Sequence, residues 1–483
     1  MNAEKLGEEH EFSTHRGDLP DMTRQSRFMD ATPAPYWRET VQDPFTSAPL
    51  GSDVTCDLAI IGGGFAGLWS ALKAAEMFPD ARILLLEGGK LGDAASGRNG
   101  GFCAPSISHG VSNAVTRWPG EAETLIRLGR ENLDALERDL EHYNIDCEFE
   151  RSGKLNVAAT PWQAEGLRAM QAAYARFGIE TELLEGAALD ERFRTPKYSA
   201  GLFEPNYALV NPAKLVDGLA RAAVARGVDI YEDSLVTGLK NEAGGVQLIT
   251  AGGTVDARQV ILATNAAVPL LKRLRAAIIP VWDYTLMSEP LSADQLASIG
   301  WHGRYGIADS GNQFHYFRKT ADNRILWGGY DAIYHFGSRR DPHLHDRAES
   351  YETLERNFRE AFPALGDIGF SHRWGGIIDT SARLTAFAGT AMQGRVAYAM
   401  GFTGQGVTAT RFAALTMLDL LQGKTTERTQ LKLLSSRAVP FPPEPFRNWA
   451  VKWAQADLAR EDRDGRRSLL LRAMDRLKIG FGS

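Results

Sequence analysis

Apolar residues recur along this chain in two rhythms. Asp57-Leu58-Ala59-Ile60-Ile61 and Arg82-Ile83-Leu84-Leu85-Leu86-Glu87 are short aliphatic runs, the pattern of strands buried on both faces. Between them, residues 67–75 carry apolar side chains at helical spacing, so residues 57–87 read as a complete βαβ unit. Residues 121–143, 162–177 and 211–226 repeat the helical period with charges between the apolar positions, as amphipathic helices do. Strands expected at 228–231, 246–250 and 260–262 resume the first pattern, so the first domain is split by an insertion.

From about residue 278 to 374 the rhythm changes to aromatic and polar alternation. Gln313-Phe314-His315-Tyr316-Phe317-Arg318 and Arg324-Ile325-Leu326-Trp327-Gly328-Gly329-Tyr330 carry it most clearly and predict an antiparallel sheet. A strand at 396–400, a glycine turn and a helix to about residue 421 return to the first pattern. The expected fold class is therefore α/β: a Rossmann-type dinucleotide-binding domain (54–150, 208–275 and 376–430) interleaved with an α+β substrate domain built on an antiparallel sheet (151–207 and 276–375). Residues 1–53, polar and interrupted by Pro33, Pro35, Pro44 and Pro49, read as an extended arm laid on the surface, with Phe28, Tyr36, Trp37 and Phe45 sparse within it. Residues 431–483 read as a helical tail whose basic, amphipathic end (466–478) packs on the body, docked by Trp449 and Trp453, with peripheral membrane contact as the lesser alternative.

A formal net charge of -6 removes nucleic-acid binding from the picture, because phosphate recognition needs a basic surface. Cys56, Cys103 and Cys147 are odd in number and widely spaced, which fits neither a disulfide framework nor a metal site, so a reducing cytoplasm and no metal are expected. The first fifty residues lack a signal peptide's apolar core, and no apolar run reaches membrane-spanning length; a soluble protein is expected.

The chemistry begins at Gly62-Gly63-Gly64-Phe65-Ala66-Gly67. This GxGxxG follows a predicted strand, opens a predicted helix and is followed by Glu87 at the end of the next strand, the three contexts that make the motif specific. Gly62 permits the tight turn, Gly64 lets backbone amides reach a pyrophosphate, Gly67 packs the helix on the sheet, and Glu87 accepts from ribose hydroxyls. The next segment, Ala94-Ala95-Ser96-Gly97-Arg98-Asn99-Gly100-Gly101-Phe102, has glycines for close backbone approach, hydrogen-bonding groups on Ser96 and Asn99, and a positive charge on Arg98.

Together these motifs resemble the D-amino-acid-oxidase-type FAD-dependent oxidoreductases, and within them the branch of gamma-glutamylputrescine oxidases. The resemblance covers roughly residues 54–425, discontinuously. It implies FAD, with the 96–101 loop around the flavin's phosphate and ring. A second contact falls at Thr264 and Asn265, the backbone of Val236 meets the adenine, and a C-terminal glycine motif contributes Gly404, Gln405, Gly406 and Val407. A helix N-terminus at that motif would stabilise the negative charge of the reduced ring. Cys103 invites the question of covalent attachment, but a packed small residue and dissociable FAD are expected.

One departure points to the substrate. Where many relatives grip the substrate's α-carboxylate with an arginine, Trp374-Gly375-Gly376-Ile377-Ile378-Asp379 places Ile378. Arg318, Arg373 and Arg383 remain as alternative grips. The resemblance and this departure together imply oxidation of an amine, with oxygen or an electron carrier as acceptor and hydrogen peroxide as the product with oxygen; a dehydrogenase and a non-catalytic FAD protein are the competing readings. The dense aromatic residues of the second domain serve either as a cage for an amine or as sheet core. Tyr284, His315, Tyr330 and Trp374 are the four expected near the flavin.

Overall fold

Val54–Ile61 is aliphatic throughout its second half because it is a central strand. Ile83–Leu86 pairs with it on one edge and Thr254–Leu262 on the other, both parallel, and Leu58–Ile61 are buried on both faces. The computed structural model describes residues 26–480. Across the first sheet the order is Phe387–Ala391, Val396–Met400, Thr254–Leu262, Val54–Ile61, Ile83–Leu86, Asp229–Tyr231, with the hairpin Gly238–Asn241 and Val246–Ile249 attached to Thr254–Leu262. Helices Phe65–Met77 and Gly406–Leu421 pack together in one core, in which Trp69, Leu72, Ala413 and Met417 are buried. Four of the parallel strands end on the same edge, so the turns after Ile61, Leu86, Leu262 and Met400 meet there. Open parallel sheets bind their ligands beyond such carboxyl ends.

The second sheet runs Phe370–Ser381, Ile278–Ser288, Ile325–Gly329, His315–Lys319, Gly306–Asp309, Lys154–Ala158, Ala200–Glu204, Glu182–Glu185, antiparallel except where Gly306–Asp309 meets Lys154–Ala158. Its two faces differ in what covers them. Trp282, Tyr284, Leu286, Phe317 and Trp327 belong to a core completed by Tyr351, Leu354 and Phe358 of the helix Ala348–Ala361. The residues between them, Asp283, Thr285, Met287, Tyr316 and Arg318, necessarily point the other way. That second face meets the 96–102 segment: Phe102 and Tyr316 are in edge contact, and Arg318 donates to the carbonyls of Gly100 and Val210.

The described part of the arm lies on the surface, as expected, and is anchored there by a few buried side chains. Phe28 and Trp37 are only 2% and 1% exposed, and Thr32 bridges to His372. Arg373 donates to the carbonyls of Phe28, Met29 and Ala31, while the Trp37 indole donates to the Asn99 carbonyl. Prolines keep the backbone extended without a ladder, so a few aromatic side chains suffice to anchor it. The part of the arm before residue 26 lies outside the described residues. The tail departs from expectation. In Phe446–Asp464 the inward positions are Ala454, Asp457 and Leu458, so Trp449 and Trp453 lie on another face, 60% and 63% exposed, and dock nothing. The tail packs on the body through Leu471 and through Gly480, whose amide donates to Ala382. No helix among the described residues is long and apolar enough to cross a membrane.

Candidate active site

The fingerprint builds a cradle for a phosphate-bearing ligand. Gly62 has φ +111°, a conformation that L side chains rarely adopt, and a Cβ there would lie 2.5 Å from the Ala263 carbonyl oxygen. A Cβ on Gly67 would lie 1.8 Å from the Gly62 carbonyl, so helix and turn meet backbone to backbone. The amides of the first helical turn at Gly64, Ala66 and Gly67 have no intrahelical acceptor, while the Phe65 amide donates to Ser96 Oγ at 2.9 Å. Glu87 accepts from the Gly63 amide at 2.6 Å and the Gly89 amide at 3.0 Å, which leaves lone pairs on both oxygens; burial raises its pKa despite these bonds. Val236 lies beside this end of the sheet, since Leu235 touches Gly88 and the Ser234 amide donates to the Glu87 carbonyl. Thr264 and Asn265 adjoin Gly62, and Asn265 Oδ1 is buried with no protein partner.

In the loop, Asn99 is a staple. Its Oδ1 accepts from the Gly101 amide and its Nδ2 donates to the carbonyls of Ala95 and Ser96, so both amide protons are spent within the loop and one lone pair of Oδ1 remains. Arg98 spends Nε on the Asp93 carbonyl and Nη1 on the Gly375 carbonyl, buckling the loop to the second sheet; burial lowers its pKa to about 10. Gly97, Gly100 and Gly101 are each closely approached, by the Gly92 carbonyl, the Tyr316 ring and the Val210 carbonyl. Cys103 is fully buried in the first core, the packed small residue that was expected.

The C-terminal glycine turn is held from below. Asp379 Oδ2 accepts from the amides of Gly401 and Phe402, and burial pushes its carboxyl up to about 7. Gly404 has φ +83° and open space around its Cβ position; Gln405, Gly406 and Val407 then start a sixteen-residue helix with its first amides unpaired. The unpaired amides at two helix N-termini, the spare lone pairs of Glu87 and the orphaned Asn265 Oδ1 fit a dinucleotide with an anionic middle and hydroxylated ribose.

Of the four side chains expected near the flavin, the structure brings one to the loop. Trp374 faces it and donates from Nε1 to the Arg98 carbonyl, but is packed against Trp37, Met287 and Leu326. Tyr284 points into the helix-covered core and donates to the Leu344 carbonyl. His315 lies on that same covered face, stacked between Trp327 and Tyr330, with both ring nitrogens engaged by the Gly328 carbonyl and Asn357. Burial depresses its pKa to about 3, so it is a core histidine and no proton acceptor. Tyr330, stacked on it, goes with it. Arg318, Arg373 and Arg383 are likewise structural: the first two hold the loop and the arm, and Arg383 donates to Ser436.

The groups that do face the loop were one residue away. Asp283 is the register partner of Gly376, whose Cβ position is 3.5 Å from the Arg98 side chain, and Ile378 lies on that same face. Tyr316 donates to Asp283 Oδ2 at 2.6 Å and lies 3.2 Å from Thr285 Oγ1. Burial raises the Asp283 carboxyl to about 6, against the lowering effect of the Tyr316 hydrogen bond. The sequence signal was the alternation itself: in a strand with one covered face, polar residues flanking aromatic ones mark the open side.

A family model described as FAD dependent oxidoreductase matches residues 57–420. The chain is 31% identical to gamma-glutamylputrescine oxidoreductase of Escherichia coli over 381 residues, 77% of this chain and 85% of that one. It is 28% identical to a probable oxidoreductase, OrdL, of Haemophilus influenzae over 80% of this chain and 88% of that one. Among solved structures it resembles glycine oxidase from Geobacillus kaustophilus, with a TM-score of 0.67 at 22% identity over 80% of this chain and 99% of that one.

Proposed function

Since the chain belongs to the family of FAD-dependent oxidoreductases, we propose that it oxidises the C–N bond of a primary or secondary amine, a gamma-glutamylated polyamine foremost, and reduces oxygen to hydrogen peroxide. The observation that supports this most is that Asp283 and Ile378 share one sheet face: a carboxylate suited to a cationic amine, and an aliphatic side chain where a carboxylate-gripping arginine would sit.

FAD, when bound, would supply the two-electron acceptor for the hydride of the carbon beside nitrogen, with the imine hydrolysed by water to a carbonyl and ammonia or an amine, and oxygen accepting the electrons to give hydrogen peroxide. Asp283 attracts the ammonium and takes a proton from it, which frees the nitrogen lone pair; a carboxyl near 6 suits exchange close to neutral pH. Tyr316 fixes the rotamer of Asp283 through their hydrogen bond. The N-terminus of Gly406–Leu421 offers positive potential to charge developing on a reduced ring. The residues that would hold FAD are Gly62, Gly64, Phe65, Ala66, Gly67 and Glu87, the backbone of 96–101, Val236, Thr264, Asn265 and Gly404 to Val407. FAD held without a covalent bond accords with the burial of Cys103, and three buried, unbridged cysteines accord with a cytoplasmic setting.

Anaerobic mixing with a panel of amines, gamma-glutamylated amines and amino acids tests the reading: amines should bleach the flavin absorbance, and one peroxide should form per turnover in air. Bleaching by α-amino acids alone would refute it, and reduced flavin that persists in air would make the protein a dehydrogenase.

A further inference from the structure

The helix Phe446–Asp464 turns its largest apolar side chains outward. Phe446, Trp449 and Trp453 follow one another at helical spacing and are 59%, 60% and 63% exposed, with the rings of Phe446 and Trp449 in edge contact at 5.6 Å. The helix is fixed to the body. Val451 packs on the cluster of Ile279, Val281 and Tyr334, and Val281 is the register partner of Ile378, so the exposed rings stand on a support joined to the second sheet. Large apolar side chains held together in water mark a surface that meets another one.

Charge on this helix is sorted by side. Trp449, Lys452, Trp453, Ala456, Arg460 and Arg463 share the outward face, and all are exposed. The acids are spent on the body and on the chain that follows: Asp457 on the Ser468 hydroxyl and Arg460, Glu461 on Arg467, and Asp462 on the amides of Asn312 and Gln313. Of the helix's acids only Asp464 is exposed, at its last position, and among the described residues Lys452 and Arg463 have no acidic partner. The next helix, Leu469–Arg476, repeats the composition, with Leu469 and Leu477 82% and 69% exposed and Arg472 and Arg476 exposed between them. Residues 446–478 hold nine Lys and Arg against five Asp and Glu in a chain whose formal net charge is -6, so positive charge is concentrated where the apolar rings are.

We propose that this face binds the headgroup layer of an anionic lipid bilayer, with Phe446, Trp449 and Trp453 entering the interface and Lys452, Arg460 and Arg463 meeting lipid phosphates. Indole rings favour that layer because their body is apolar while the N–H wants a polar partner, and cations beside them gain from the negative surface potential of the membrane. A second copy of the chain suits the face less: in a two-fold dimer the same patch meets itself, and Lys452, Arg460 and Arg463 would be brought against an equally basic surface. Attachment of this kind is peripheral and reversible, and salt weakens it.

The FAD-loaded full chain, mixed with vesicles of about 3:1 phosphatidylcholine and phosphatidylglycerol and floated on a density gradient, tests it. Wild type should bind these vesicles about 10-fold or more tighter than vesicles of phosphatidylcholine alone, and lose that margin at about 0.5 M salt. Trp449→Ser combined with Trp453→Ser should cut the partition coefficient on anionic vesicles about 10-fold or more. Lys452→Glu combined with Arg463→Glu should abolish the preference for anionic lipid. All four positions are exposed, so flavin absorbance and melting temperature should match wild type; should one double variant fold poorly, the other still ties binding to this face. Lipid with brominated chains should quench the indole fluorescence of wild type more than that of the tryptophan variant. Wild type that ignores anionic vesicles at low salt, or a folded variant of either pair that binds them as tightly as wild type, overturns the membrane assignment. So does a concentration-dependent dimer, seen by sedimentation velocity, that the tryptophan variant abolishes while wild type leaves the vesicles unbound; the face would then belong to a second copy.

Discussion

Tyr316 reaches Asp283 across an intervening strand, and it does so over Gly328. The two residues belong to strands separated by Ile325–Gly329, and Gly328 is the register partner of both Tyr316 and Thr285. A Cβ on Gly328 would lie 2.6 Å from Tyr316 Cζ and 2.7 Å from its hydroxyl oxygen, so the phenol lies in the space the missing side chain leaves. Gly328→Ala should lift the ring and break the 2.6 Å bond. Turnover with amines is expected to drop about 10-fold or more with FAD content unchanged, as read by steady-state kinetics on protein of known flavin absorbance.

Asp283→Asn separates chemistry from stability. The folded carboxyl is raised to about 6 from its ordinary 3.8, so its contribution to stability is full below about pH 4 and is lost as the pH rises through 6. The amide should therefore raise the melting temperature at pH 8, by on the order of 2 kcal/mol in stability, and make no difference at pH 4. Amine kcat/KM should fall by about 100-fold and lose its acidic limb near pH 6. An unchanged pH–rate profile would remove Asp283 from proton transfer.

Ile378→Arg puts a guanidinium on the face of Asp283. Pairing should pull the Asp283 carboxyl down, shift the acidic limb of the rate profile below pH 6 and reduce amine turnover about 10-fold or more. Turnover of small α-amino acids should rise, which a kcat/KM comparison on both substrate classes would reveal.

Asp379→Ala removes the acceptor for two amides of the glycine turn. Two buried donors left unpaired cost about 1–3 kcal/mol each, and the FAD dissociation constant should rise by at least 10-fold. Glu87→Arg should likewise yield flavin-poor protein, through repulsion of the Gly63 and Gly89 amides and loss of the ribose acceptor. Retention of full flavin by either variant, measured by absorbance after gel filtration, contradicts the cradle assigned here.

The cradle was legible in the sequence because its requirements are local. Gly62, Gly67 and Glu87 lie within one βαβ unit, where a turn, a helix start and a strand end mark themselves by composition. The second sheet was legible as a sheet but not as two faces, because aromatic residues occupy both sides of its strands: Tyr284 and His315 lie on the covered side, and Asp283 and Tyr316, their neighbours, face the loop. Which parity is covered depends on where Ala348–Ala361 packs, which no single strand encodes. Asn99 and Arg98 carried the right chemistry, but the loop uses it on its own carbonyls and on the neighbouring sheet.

The anchored arm sets an order of events. Phe28 to Trp37 are synthesised well before their partners Arg318, Ser371 and Arg373, which follow some three hundred residues later. On the ribosome the βαβ unit can close early, whereas the arm's contacts with Arg318, Ser371 and Arg373 must wait until some three hundred further residues have emerged. Docking of the arm on the second sheet is thus a later step than closure of the βαβ unit.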